Sequence, residues 1–297
     1  MSEPPRVAGL VWNAGLKNQT QAQLEWSATT PRTPLPLGAE IAFSTGPDRQ
    51  CLGIWRNGKR LGCPTRTPLA ATAHGPLCPE CQTMDRSYSI AADTRLDDPR
   101  EFAVYLAHHG SRVKIGITAA DRGSARLLEQ GALSSAFLSS GTLAAARRVE
   151  RLFTSAFGVT DRVTSPTKRT ARLDPPTAEQ RAADLHALAE NVNTLDWPDG
   201  QTLRTLDVVD HTPTYGLPAD GIRPAHTLRA LTPDAVISGR ITCQIARDLY
   251  LETPQGLVIA DTQLLSGWPL TTLEPGTAFT AGTEPIAAPV LPQDALF

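Results

Sequence analysis

Apolar and polar positions along the chain fall into two periods, and the change of period marks the elements. Phe102, Val104 and Leu106 alternate with Ala103, Tyr105 and Ala107, the repeat of a half-buried strand. The run His108-His109-Gly110-Ser111 supplies a turn, and Val113, Ile115 and Ile117 carry the alternation into a second strand. Gly116 lies inside that strand, where glycine weakens pairing unless a backbone or ligand comes close. A short helix bearing Arg126 follows, with Asp121 placed to cap it and Gly131 to end it. Ser134 to Ser140 reads as a third strand. The period then becomes helical: Leu143, Ala146, Val149, Phe153, Ala156 and Phe157 form one apolar arc, with Thr142 as N-cap and Gly158 beyond the end. A third amphipathic helix is expected within residues 177–195.

The flanks are less regular. Residues 1–45 alternate loosely around Val7, Leu10, Trp12, Leu24 and Trp26, which predicts short antiparallel strands. Alternating strands around Pro254-Gln255-Gly256 predict a C-terminal β unit. Residues 161–176 read as a polar, basic loop, and the Pro- and Gly-rich stretch 197–224 as a connector. Residues 87–101 read as a surface link. The expected fold class is α+β: a small three-stranded antiparallel sheet with flanking helices, a zinc-ribbon-like module before it and β strands at both ends. The expected units are an N-terminal β segment over 1–45, a cysteine-rich module over 46–98, a central domain over 99–175, a helix and linker over 176–235, and the C-terminal β unit over 236–297.

With 297 residues and 41% apolar content, the chain can bury a core of more than one module. No run of eighteen apolar residues and no signal-peptide pattern is present, so a cytoplasmic protein without a membrane span is expected. The net charge of -2 hides an asymmetry. From Arg112 to Arg172 there are eleven Arg and Lys against four Asp and Glu, a local +7. A field of that sign suits a polyanion and makes nucleic acid the expected partner.

Four of the five cysteines, Cys51, Cys63, Cys78 and Cys81, fall within 31 residues, and the last two form a Cys-Pro-Glu-Cys turn. Two thiolates two residues apart take one edge of a zinc tetrahedron, and a second pair from a hairpin completes it. Such a site has no open position and is structural; disulfides or unliganded thiols are the alternatives, and His74 is a substitute ligand. Cys243, in an apolar strand pattern, reads as a small buried hydrophobe.

Glu150 lies at the edge of the apolar arc of its helix, where a carboxylate either pairs with a cation, Arg126 or Arg147, or holds a metal. The order of elements resembles the GIY-YIG nuclease superfamily over residues 100–165. Ala103-Val104-Tyr105 stands for GIY and Lys114-Ile115-Gly116 for YIG, with Arg126 and Glu150 at the positions of the helix arginine and the glutamate. More of the chain, including the cysteine module and the block from Gly239 to Glu252, resembles an uncharacterised prokaryotic family of unknown function.

The superfamily resemblance implies metal-dependent phosphodiester hydrolysis on nucleic acid. Tyr105 would deprotonate water, aided by Lys114 favouring phenolate; Arg126 would pair with the scissile phosphate; and Glu150 would hold a catalytic Mg2+. Gln130 stands where the superfamily often has a Tyr or His, and no asparagine occurs from 151 to 175, where Thr164 and Ser165 are the nearest substitutes. Two other expectations stand beside hydrolysis: an inert nucleic-acid-binding protein with structural zinc, or a non-nuclease enzyme acting on a phosphorylated small molecule.

Overall fold

The computed structural model describes residues 4–13, 20–27, 30–56, 59–73, 75–85 and 98–286. The chain is α+β, with mostly antiparallel sheets and few helices. His74 and residues 87–97 of the 87–101 link lie outside the described residues.

The first strands, β1 (Val7–Asn13), β2 (Gln21–Trp26) and β3 (Thr33–Pro34), form a small sheet, and β4 (Glu40–Thr45) leaves it. The cysteine segment contributes a two-stranded hairpin, β5 (Ile54–Arg56) and β6 (Lys59–Leu61), and a one-turn helix, α1 (Pro79–Met84). The middle of the chain holds β7 (Phe102–His108), β8 (Val113–Ala119), α2 (Ala125–Gln130), β9 (Ser134–Gly141), α3 (Leu143–Phe157), α4 (Ser165–Ala171) and α5 (Ala178–Glu190). Next come β10 (Gln201–Leu203), β11 (Val209–Asp210) and α6 (Thr212–Tyr215). The chain then runs through β12 (His226–Leu228), β13 (Val236–Ile245), β14 (Asp248–Thr253), β15 (Gly256–Asp261), β16 (Leu270–Thr272) and β17 (Thr283–Pro285).

The three expected central strands are present, but the sheet has five. Its order is β10-β9-β7-β8, and β11 pairs with another part of β9. The two added strands come from the stretch read as a connector. Strand β7 is buried along its whole length rather than on one face, because it lies between β8 and β9 and both of its sides are covered. On one side Val104, Leu106 and Ile115 pack with Ala146, Val149 and Phe153 of α3. On the other, Tyr105 and Ala107 pack with Leu127 and Ala132.

Helix α3 begins and ends where its local signals place it: Thr142 Oγ1 accepts from Ala145 N, and Gly158 adopts the left-handed conformation. Thr177 and Gln180 form a capping box at α5. Asp121 does not cap α2; it lies in a 3-10 turn, and Ser124 occupies the N-cap position without a side-chain bond.

The two ends of the chain share one seven-stranded sheet, order β16-β4-β13-β14-β15-β12-β17. Strand β4, placed by the sequence in an N-terminal unit, pairs with β13 and β16 of the C-terminal one. Arg49 ties the cysteine segment to this sheet. Its Nη1 donates to the carbonyls of Ala70, Ala71 and Ala73, all at 3.1 Å, and its Nε to Ser266 O at 2.8 Å. Helix α4 is held to the same sheet by charge. Arg172 Nη1 lies 2.6 Å from Asp248 Oδ2, and Arg169 reaches Asp248 at 2.5 Å and Asp261 at 3.0 Å.

Candidate functional site

The hairpin β5–β6 brings Cys51, before it, beside Cys63, after it, while Cys78 and Cys81 flank the first turn of α1. All four are buried, and their sulfurs lie within 4.8 Å of one another. Gly53 makes this approach possible. Its φ is 74°, and a Cβ there would overlap the Leu61 carbonyl oxygen and come within 2.5 Å of Cys63 N. The Cys51 sulfur accepts N–H groups from Cys78 at 3.1 Å and Gly53 at 3.4 Å, the donors a thiolate wants. Burial pushes the Cys63 thiol up, but bonds from Thr65 and Thr67 outweigh it and bring it down to about 6. Burial and the neighbouring thiols push Cys81 up. One cluster thus favours charge at one sulfur and disfavours it at another, an imbalance that a bound cation removes. The described cysteines are all free, which leaves no disulfide here, and Cys243 is buried as expected. The cluster is closed and can hold a metal ion; among the described residues no other group of three or more His, Cys, Asp or Glu can.

The second site forms on the α2 side of the central sheet. Tyr105 pairs across the ladder with Gly116, and its ring lies over that glycine. The close approach the glycine implied is therefore made by a phenol: a Cβ at 116 would overlap the hydroxyl and sit 2.6 Å from Cζ. The Tyr105 hydroxyl donates to Gln130 Oε1 at 3.0 Å, and the Lys114 ammonium stands 6.0 Å from the ring centre. Arg126 and Glu150 both act electrostatically on Tyr105 and on Lys114. Lys114 thus stands beside Tyr105, and Arg126 and Glu150 lie within electrostatic reach of both.

Its electrostatics differ from the expectation. Burial raises the Tyr105 pKa, and the opposing influence of Arg126 and the Gln130 bond does not overcome it. The phenol stays protonated; it is not shifted toward phenolate. Lys114 is lowered, first by burial and then by Arg126, with Glu150 and Asp161 opposing. Lys168 on α4, in the stretch read as a loop, completes the site. Its Nζ donates to Gln130 O at 2.7 Å, and its pKa is lowered to about 8 by burial, then by Lys114, Arg172, Arg126 and Arg247. His109 lies beside it with Nδ1 3.0 Å from Gly131 O, and its buried Nε2 has no hydrogen-bond partner among the described residues. Neither Lys114 nor Lys168 has a carboxylate within ion-pair distance among the described residues.

Several other charges in the basic stretch have partners of their own. Arg169 and Arg172 serve Asp248, Arg147 is buried, and Arg148 donates to Asp199 O at 2.8 Å. Arg126 lies 3.6 Å from Glu129, which also takes Arg122 at 2.6 Å. Glu150 faces a cavity of about 910 Å³ shared with Arg151, Asp161 and Trp197. It belongs to no group of three or more metal-ligating side chains among the described residues.

The model of a family described as protein of unknown function (DUF2797) matches residues 45–270. No curated protein and no solved structure matches the chain. No GIY-YIG match was found, and this corrects the resemblance drawn from the order of elements. That order, strand, strand, helix, strand, helix, is general enough to recur, and the central sheet here has two further strands.

Proposed function

The chain belongs to the family described as protein of unknown function (DUF2797), and we propose that it binds nucleic acid through a backbone phosphate seated among Lys114, Arg126 and Lys168. One observation carries this reading. Lys168 is brought down to about 8 by burial first and then by the like charges of Lys114, Arg172, Arg126 and Arg247. Lys114 is lowered by burial and then by Arg126 against the pull of Glu150 and Asp161, and neither ammonium has a carboxylate within ion-pair distance among the described residues. An oxyanion reverses the sign of that interaction and is favoured there for the same reason that the cations repel. The guanidinium of Arg126 on α2 adds donors of the right kind. In the same proposal Cys51, Cys63, Cys78 and Cys81 hold a structural zinc ion. Four sulfurs at bond lengths of about 2.3 Å fill its tetrahedron, and the metal supplies folding energy to a segment with few hydrophobic residues.

Binding is favoured over hydrolysis because the phenol stays protonated, which leaves no phenolate to activate water. Hydrolysis is kept as a second reading on one observation, the electrostatic reach of Glu150 to both Tyr105 and Lys114. There Mg2+ would supply Lewis acidity beside Glu150, with water completing its shell.

The test is equilibrium binding of a fluorescent oligonucleotide without added divalent cation, as a function of salt. The wild type should bind with an affinity that falls as salt rises, and Lys114→Gln and Lys168→Gln should each weaken binding and reduce the salt slope by about one. Absence of binding, or salt-insensitive binding that neither change affects, overturns the proposal. Cleavage that appears with Mg2+ and is lost in Glu150→Gln replaces it with the second reading.

A further inference from the structure

The β5–β6 hairpin, fixed at its base by the cysteine cluster, displays a surface that the basic pocket does not use. Trp55 and Arg60 are cross-strand partners, and the Arg60 guanidinium carbon lies 5.5 Å from the centre of the indole. Trp55 is 44% exposed, the tryptophan that stands out to solvent among the described residues. A large apolar ring held open to water on a two-stranded ribbon adds nothing to a core and asks for a ligand with an apolar face. The described hairpin strands carry Arg56, Lys59 and Arg60 and no acidic residue, so that ligand should also be anionic.

Trp55 and Arg60 line one side of a groove of about 860 Å³, and Arg122 and Ala125, at the start of α2, line another. Helix α2 joins the groove to the basic pocket, for Ala125 and Glu129 line the one while Arg126 and Gln130 belong to the other. Of the four acidic side chains that line the groove, Glu25 pairs with Arg32 at 2.8 Å and Glu129 with Arg122 at 2.6 Å. Asp85 and Asp121 lie away from the cationic hairpin strands in sequence and leave Arg56, Lys59 and Arg60 as the charges nearest the indole along the ribbon.

We propose that Trp55, backed by Arg60, is a stacking platform for an unpaired nucleobase, and that the nucleic acid this chain binds is therefore single-stranded. The inference rests on the phosphate-binding reading of the Lys114–Arg126–Lys168 pocket. Duplexes hide base faces in their own stack, whereas a single strand offers each base to an aromatic ring while its phosphates follow the cations. Arg60 fixes the indole through its cation–π contact and remains close enough to meet the adjoining phosphate.

The experiment uses the full, metal-loaded chain and two fluorescent strands of equal length, an ordinary single-stranded oligonucleotide and a fully abasic strand with the same phosphates and no bases. The wild type should prefer the ordinary strand to the abasic strand and to a duplex. Trp55→Ala should weaken the ordinary strand by about 5- to 150-fold and leave the abasic strand unchanged, and Trp55→Phe should retain most of the affinity. Lys168→Gln should weaken both strands. Equal affinity of Trp55→Ala and wild type for the ordinary strand overturns the platform while leaving the phosphate reading intact, as does a wild type that binds both strands equally. A wild type that binds neither strand overturns both. A changed oligomeric state in Trp55→Ala with unchanged strand affinity assigns the face to a second copy of the chain and also overturns the proposal.

Discussion

Gly116→Ala tests whether the ring of Tyr105 is the reason for the glycine. The added methyl would overlap the phenol hydroxyl and lie 2.6 Å from Cζ, against an ordinary carbon–carbon contact of about 3.5–4.0 Å. Swinging the ring aside is costly, because Tyr105 is 1% exposed, packed with Leu127 and Ala132, and bonded to Gln130 at 3.0 Å. Overpacking a filled site costs about 1–3 kcal/mol, and a hydroxyl forced off Gln130 forfeits about 0.5–1.5 kcal/mol more. The expected total is about 1.5–4.5 kcal/mol. Urea unfolding of the metal-loaded chain reads it, and a cycle with Tyr105→Leu isolates the cause. Once the ring is gone, Gly116→Ala should cost less than about 0.5 kcal/mol. An unchanged midpoint for Gly116→Ala alone, or the same cost with and without the ring, would refute the argument.

Three further outcomes follow from the two sites. Lys168 titrates at about 8, below the value for a free lysine, and a bound phosphate favours its charge. Phosphodiester affinity should therefore fall above pH 8 by up to tenfold per pH unit, with proton uptake on binding, and Lys168→Gln should flatten the profile. The stability of the ligand-free fold should move the opposite way: the folded value lies below the unfolded one, so the unfolded chain holds the extra proton and stability rises as pH climbs from about 8 toward the unfolded value; a pH series of urea midpoints checks the sign. Metal analysis should find one zinc per chain, removed by chelation with a drop in melting temperature, and Cys81→Ser should lose it; a fully folded preparation without metal would contradict the structural role.

What could be read from the sequence was local. Thr142, Gly158, Thr177 and Gln180 name the helix ends they form, because a cap is a bond between near neighbours. The cysteines announced a cluster by spacing alone. Lys168 could not be found this way. Thr164 and Pro166 do mark the start of α4, but seven residues without an apolar stripe give no period, and the lysine matters only through Gln130 and Lys114, which folding brings to it. The neutral state of Tyr105 was equally hidden, since neighbours in sequence suggested a cation and depth of burial decided the outcome. Strands β10 and β11 are three and two residues long, below the length at which alternation can be recognised.

The position of β4 between β16 and β13 sets an order of events during synthesis. Thr45 finds its partner Ala235 at a separation of 190 residues, so β4 leaves the ribosome long before either of its neighbours exists. The central sheet has no such wait for β7, β8 and β9, which pair in succession and close over α3 soon after they are made. Until β13 arrives, both edges of β4 present unpaired backbone groups beside Ile41 and Phe43, an invitation to pair with another nascent chain. During synthesis β4 therefore stays unpaired longer than β7, β8 or β9.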